Sequence, residues 1–141
     1  MRIFFAGPLT DLTNKDQIKA FYRRMADVAE QNAFDHYWAF LNGTDPELNP
    51  DVPPEVVYDT DIRELAKSDL MIVYLGEPTT GTGQEIEYAK EHNIPVYLLY
   101  EKGKRITRMV LGSPNIKGKF EFISEEDALA QLDTLLKSLK I

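Results

Sequence analysis

The run Leu70-Met71-Ile72-Val73-Tyr74-Leu75 constrains this chain most. An apolar stretch of strand length with no polar alternation fits a parallel sheet covered on both faces, where each side of the strand must leave water. Two further runs repeat the pattern. Ile3-Phe4-Phe5-Ala6 stops at Gly7-Pro8, where glycine and proline end strand pairing, and Pro95-Val96-Tyr97-Leu98-Leu99-Tyr100 follows a polar stretch.

Helical patterns separate these strands. Between Thr13 and Gln31 the apolar positions Ile18, Phe21, Tyr22, Met25, Val28 and Ala29 recur at three- and four-residue spacing, which makes one helical face. The aromatic segment Phe34 to Phe40 holds a second strand, and Leu41 to Pro54 is a polar, proline-rich loop and a candidate lid. A second helix is predicted over Glu55 to Lys67 with Val57, Tyr58, Ile62, Leu65 and Ala66 facing inward, and a third over Thr82 to His92. Arg105 to Leu111 reads as a short helix and Lys119 to Ile123 as a fifth strand. Ser124 to Leu139 reads as a final helix whose Ser124 and Asp127 form a capping-box start.

Strands alternating with helices give parallel β-α-β units: an α/β three-layer sandwich around a five-stranded parallel sheet, Rossmann-like in the broad sense. A length of 141 residues is one domain, 1–141, with one sheet and one site. In such sheets ligands bind beyond the carboxyl ends of the strands. That rim gathers Gly7 to Asp11, Glu77 to Gly81 and the loop after Tyr100.

Composition removes several function classes. A net charge of −7 argues against a nucleic-acid partner, which requires a basic face. No apolar run approaches the ~18 residues of a membrane span and no leader precedes the first strand, so no membrane and a cytoplasmic location are expected. The chain has no cysteine and only two histidines, which leaves neither thiolate chemistry nor a histidine-rich metal site. Metal-free chemistry is expected.

The segment Gly81-Thr82-Gly83-Gln84-Glu85 follows the strand at Leu70. Its position puts Glu85 in the first turn of the third helix, where the positive end of the helix favours an ionised carboxylate. Such a group is a nucleophile or an electrostatic stabiliser; the plainer reading is that Glu85 only complements the helix N-terminus. Asp61 lies two turns into a helix entering from the same rim and so should face Glu85. Two carboxylates at one pocket suit cleavage of a bond to an anomeric carbon, one attacking the sugar and the other assisting the departing group. Asp61 by itself also reads as a solvated helix residue.

Three segments together, Ile3 to Asp11, Asp61-Ile62-Arg63-Glu64-Leu65 with Asp69, and Gly81 to Ile86, resemble the nucleoside 2-deoxyribosyltransferase family. The resemblance runs from Ile3 to Leu99. It implies a flavodoxin-like fold and a two-step retaining transfer of 2-deoxyribose between nucleobases, part of nucleoside salvage, with no cofactor. In the positions of the resemblance Glu85 is the nucleophile that forms a glycosyl ester, and Asp61 assists base departure. Phe4, Gly7, Pro8, Leu9, Thr10, Asp11, Thr79, Gly81 and Gly83 are expected to bind substrate. Partners are then a deoxynucleoside or deoxynucleotide and a free nucleobase. The family also implies a homodimer or larger homo-oligomer in which an Asn matched by Asn115 reaches a neighbouring subunit's site; a surface turn is the alternative for Gly112 to Asn115.

The chain departs from that pattern in three places. Many members carry Tyr where this chain has Phe4, so the nucleophile lacks that contact. Thr79 stands where the transferases have an acid and the related deoxynucleoside 5'-monophosphate N-glycosidases have a hydroxyl, which suits a phosphate. Pro8 and Thr10 occupy the positions of the Ser and Arg that hold phosphate in those hydrolases, and a missing arginine removes a bidentate clamp. The leading expectation is a deoxyribosyltransferase; the alternatives are the monophosphate N-glycosidase and a nucleotide-binding module without turnover. Tyr37, Trp38 and Phe40 fit either base stacking or the core.

Overall fold

A computed structural model describes residues 1–140. Five parallel strands form one sheet: β1 (Arg2–Ala6), β2 (Asp35–Tyr37), β3 (Leu70–Tyr74), β4 (Val96–Glu101) and β5 (Ile116–Phe122), in the order β2-β1-β3-β4-β5. This is the flavodoxin-like order, whose reversal point lies between β1 and β3. The helices are α1 (Lys15–Gln31), α2 (Pro54–Ala66), α3 (Thr80–Glu91), the single turn α4 (Arg108–Leu111) and α5 (Glu125–Leu139). No helix is long and apolar enough to cross a membrane among the described residues.

The alternation of side chains along the strands creates two cores. Ile3, Phe5, Leu70, Ile72, Tyr74 and Leu99 point to one face, where α1 and α5 cover them. Phe4, Ala6, Met71, Val73, Val96 and Leu98 point to the other, beneath α2 and α3. The first face is the aromatic one. Trp38 stacks between Phe5 and Tyr22, with centroids 5.1 and 4.2 Å away, and Phe21 meets Tyr74 edge-on at 5.4 Å.

Local chemistry explains several boundaries. Ser124 accepts a hydrogen bond from the Asp127 N–H at 3.1 Å, and the Asp127 carboxylate accepts from the Ile123 N–H at 2.9 Å, so α5 starts on reciprocal caps. Only Asp35 to Tyr37 pair as β2; the chain then turns through a 3-10 segment at Ala39–Leu41, which returns Phe40 to the aromatic core. Gly7 is required by close approach. A Cβ there would lie 2.5 Å from the Tyr22 hydroxyl, which donates to the Pro8 carbonyl at 2.8 Å and ties the loop after β1 to α1.

Two predicted features differ. Of the expected inner face of α2, only Leu65 is buried, while Tyr58 is 57% exposed. The loop between Leu41 and Pro54 is not a free lid. Asp45 at its centre is fully buried; its carboxylate bonds Lys19 of α1 at 2.5 Å and accepts the Glu47 N–H at 2.8 Å. The Asn49 side chain accepts the Asp45 N–H at 3.3 Å. A buried ion pair with its remaining valences filled holds the loop as a wall.

Candidate active site

A cavity of about 570 Å³ opens beyond the carboxyl ends of β1 and β3, at the reversal point of the strand order. Its floor is the end of β1 and the loop after it, with Phe4, Ala6, Gly7, Leu9 and Thr10. The Thr44 to Pro54 loop makes one wall, α2 another through Val57, Tyr58, Asp61 and Ile62, and the start of α3 a third through Thr79, Gly81, Thr82 and Glu85. Val57, Tyr58 and Ile62 of α2, which leave the core, therefore line the cavity.

Asp61 and Glu85, assigned to one rim from sequence, both face this cavity. Phe4, Gly7, Leu9, Thr10, Thr79 and Gly81 join them, whereas Pro8, Asp11 and Gly83 do not line it. Pro8 is buried with its carbonyl taken by Tyr22, and Asp11 is an exposed residue with φ +50°. The loop after Tyr100 does not contribute. Asn115 is buried inside its own protomer. Its amide donates to the Ile94 carbonyl at 3.1 Å and its side-chain oxygen accepts from Ser113 at 2.7 Å, which fixes the turn before β5 beside the start of β4.

The carboxylates differ in support. Asp61 Oδ1 accepts from the Tyr37 hydroxyl at 2.8 Å and from Thr44 Oγ1 at 3.2 Å. Burial lifts the Asp61 carboxyl above its ordinary range, and those two donors oppose the rise. Glu85 has no such donor. Loss of hydration in the wall, then the nearby Asp61 charge, push its carboxyl up to about 8. The expected low pKa is thus reversed, for two reasons. Helix α3 begins at Thr80, so Glu85 lies in the second turn, beyond the reach of the strongest helix-end field, and its neighbours desolvate it. Of the two carboxyls, Glu85 is the one whose proton persists up to about pH 8.

Thr44 escaped sequence reading as a site component, while Tyr37 and Trp38 were left between base stacking and the core. Thr44 reads as loop, the hydroxyl of Tyr37 gives no sequence signal, and both meet Asp61 only through tertiary contact. Trp38 lines the cavity and keeps a buried indole N–H without a partner among the described residues. The aromatic run from Tyr37 was the only signal available for any of them.

The family profile described as nucleoside 2-deoxyribosyltransferase matches residues 3–131. A protein of Syntrophotalea carbinolica named "Putative 2'-deoxynucleoside 5'-phosphate N-hydrolase 1" is 31% identical over 144 residues, covering 93% of this chain and 96% of that protein. Its namesake in Methanosarcina barkeri is 33% identical over 118 residues, covering 81% of this chain and 70% of that protein. Among solved structures, a CMP N-glycosidase of Clostridium botulinum superposes with a TM-score of 0.75 at 19% identity, over 96% of this chain and 99% of that one. A 2-deoxyribosyltransferase of Bacillus psychrosaccharolyticus superposes at 0.69 with 21% identity, over 94% and 96% of the two chains. These likenesses establish the shared fold, and the profile match covers every residue that lines the cavity. The chain therefore belongs to the nucleoside 2-deoxyribosyltransferase family, whose members transfer or hydrolyse at N-glycosidic bonds.

Proposed function

We propose that this chain is a nucleoside 2-deoxyribosyltransferase that moves deoxyribose between nucleobases through an ester on Glu85. The observation that carries the reading is a cavity holding two carboxylates and, among the described residues, no Lys, Arg or His in its lining. Two carboxylates stabilise the oxocarbenium-like charge that develops at C1'. A phosphate would meet repulsion there with no cation to offset it, so an uncharged 2'-deoxynucleoside is the better donor.

The step proceeds as follows. Glu85 attacks C1', the bond from C1' to the base nitrogen breaks, and its electron pair stays on that nitrogen, which takes a proton. The single proton of the carboxylate pair supplies it, and its departure leaves Glu85 with the charge that attack requires. An incoming base nitrogen then attacks C1', displaces the Glu85 carboxylate and returns a proton to the pair. Apolar walls from Pro46, Pro50, Val52 and Val57 limit water, which favours a base as acceptor.

A second reading is hydrolysis of 2'-deoxynucleoside 5'-monophosphates by the same nucleophile. The curated relatives carry that activity in their names. In addition Thr79 lines the cavity at the start of α3, and no side chain caps that helix. One experiment separates the readings: a deoxynucleoside or its 5'-monophosphate is incubated with and without a second base. Exchanged nucleoside, lost in Glu85→Ala, is the expected result. Base release at equal rate without acceptor, with no exchange and a preference for the monophosphate, means hydrolysis. Tight binding with neither product means a binding module.

A further inference from the structure

We propose that Tyr37 and Thr44 are positioning residues that aim Asp61, fixing Oδ1 from behind so that Oδ2 alone is presented to the base being exchanged. The inference rests on the proposed reaction, with Asp61 as the second carboxylate of the pair that assists base departure.

The geometry is closed on one side. Tyr37 Oη lies 2.8 Å from Asp61 Oδ1, Thr44 Oγ1 lies 3.2 Å from the same oxygen, and the two hydroxyls are 3.3 Å apart. Both donors therefore converge on one carboxylate oxygen and, among the described residues, none reaches the other. Each donor is itself held. Tyr37 is 3% exposed, it is the register partner of Phe4 across β1 and β2, and its ring stacks on Phe4 with centroids 5.4 Å apart at 19°. Thr44 is buried, approaches the Ala39 carbonyl at 3.4 Å, and is followed by Asp45, whose buried pair with Lys19 pins the loop to α1. The sheet supplies one donor and the pinned wall the other. A helix held by a single buried residue would otherwise leave the direction of Asp61 loose.

The chemistry favours ordering this carboxylate in particular. Two donors to its ionised form oppose the rise that burial imposes and favour the charge on Asp61 over Glu85. The titratable groups facing the pair are Tyr37 and Tyr58, and Glu64 acts on Tyr37 from one turn along α2. Burial and the carboxylates Asp61 and Glu64 hold the Tyr37 phenol above its ordinary range, so it remains a donor throughout the working pH. Phe4 offers no hydroxyl to Glu85, so the phenol of this site serves the other carboxylate.

The test is a double-mutant cycle read by pH profile. Tyr37→Phe keeps the ring stack and removes only the hydroxyl. It is expected to lower kcat about 10-fold, the scale of one charge-assisted hydrogen bond, with KM changed less than about twofold. The limb of the kcat/KM profile that disappears in Asp61→Asn should move to higher pH in Tyr37→Phe, because the ionised Asp61 has lost a donor. In the Asp61→Asn background Tyr37→Phe should cost nothing further. Thr44→Val provides the same reading if Tyr37→Phe does not fold. An unmoved limb, or an equal loss in both backgrounds, overturns the positioning role. A wild-type rate in Asp61→Asn instead overturns the role of Asp61 itself, so the two failures are distinct.

Discussion

The two faces of the sheet are built differently. On one, α1 and α5 bury five and four residues each against an aromatic layer, and the packing is closed. On the other, α2 buries only Leu65, and the space that a helix face would fill is the cavity. The difference teaches that here the site is a core left incomplete. Its apolar walls keep water away from the carboxylates, and its two donors to Asp61 replace part of the hydration that burial removes. One face serves stability; the other accepts a stability cost for chemistry.

That division can be broken or sharpened by substitution. The largest effect is expected from Glu85→Gln, which removes the proposed nucleophile from the open face: cleavage of the N-glycosidic bond should fall at least about 1000-fold, while the thermal midpoint rises. On the closed side of the cavity wall, Lys19→Met strands the buried Asp45 charge and should cost about 3–5 kcal/mol in denaturant unfolding. Leu132→Ala in α5, fully buried, should cost about 2–5 kcal/mol with kcat unchanged. Val57→Ala in α2 should cost about 1 kcal/mol or less and raise KM instead. If Val57→Ala proves as destabilising as Leu132→Ala, the open face is not open.

A pH series sharpens the comparison further. Glu85 binds its proton more tightly folded than unfolded, about 8 against 4.5. Between those values the native state holds more protons than the unfolded state, so stability falls as pH rises from about 4.5 to about 8. In Glu85→Gln that part of the slope should vanish. Fluorescence-monitored unfolding at pH 5 and pH 8 measures it. The smallest effect belongs to the glycines of α3. Gly83→Ala, whose Cβ meets nothing within 4 Å, should add about 0.5–1 kcal/mol of stability with activity kept. Gly81→Ala should add as much but raise KM, because Gly81 lines the cavity.

Much of this arrangement was legible in residue order. The apolar runs at Ile3, Leu70 and Val96 announce buried parallel strands, and a carboxylate after a glycine-rich loop announces a rim. Other features depend on contacts that spacing does not carry. Asp45 looks like a loop acid because its partner, Lys19, lies in an earlier helix. The start of α3 is hidden because no side chain caps it, so a motif reading begins the helix late and places Glu85 too close to its positive end. The protonation of Glu85 follows from tertiary burial, which propensity cannot encode. Tyr58 has the helical spacing of a core residue and instead borders a cavity, since periodicity records apolar surroundings without saying what fills them.

The single leucine that seats α2 has a kinetic consequence. Local opening free energies follow buried contact, so the amides of α2 should lose hydrogen-exchange protection well before those of α1 or α5. The opposite wall is clamped by Lys19 and Asp45, so in the proposed reaction passage of the base is expected to go by way of α2. In that reaction the opening of this helix, rather than the bond chemistry, is expected to set the pace of turnover.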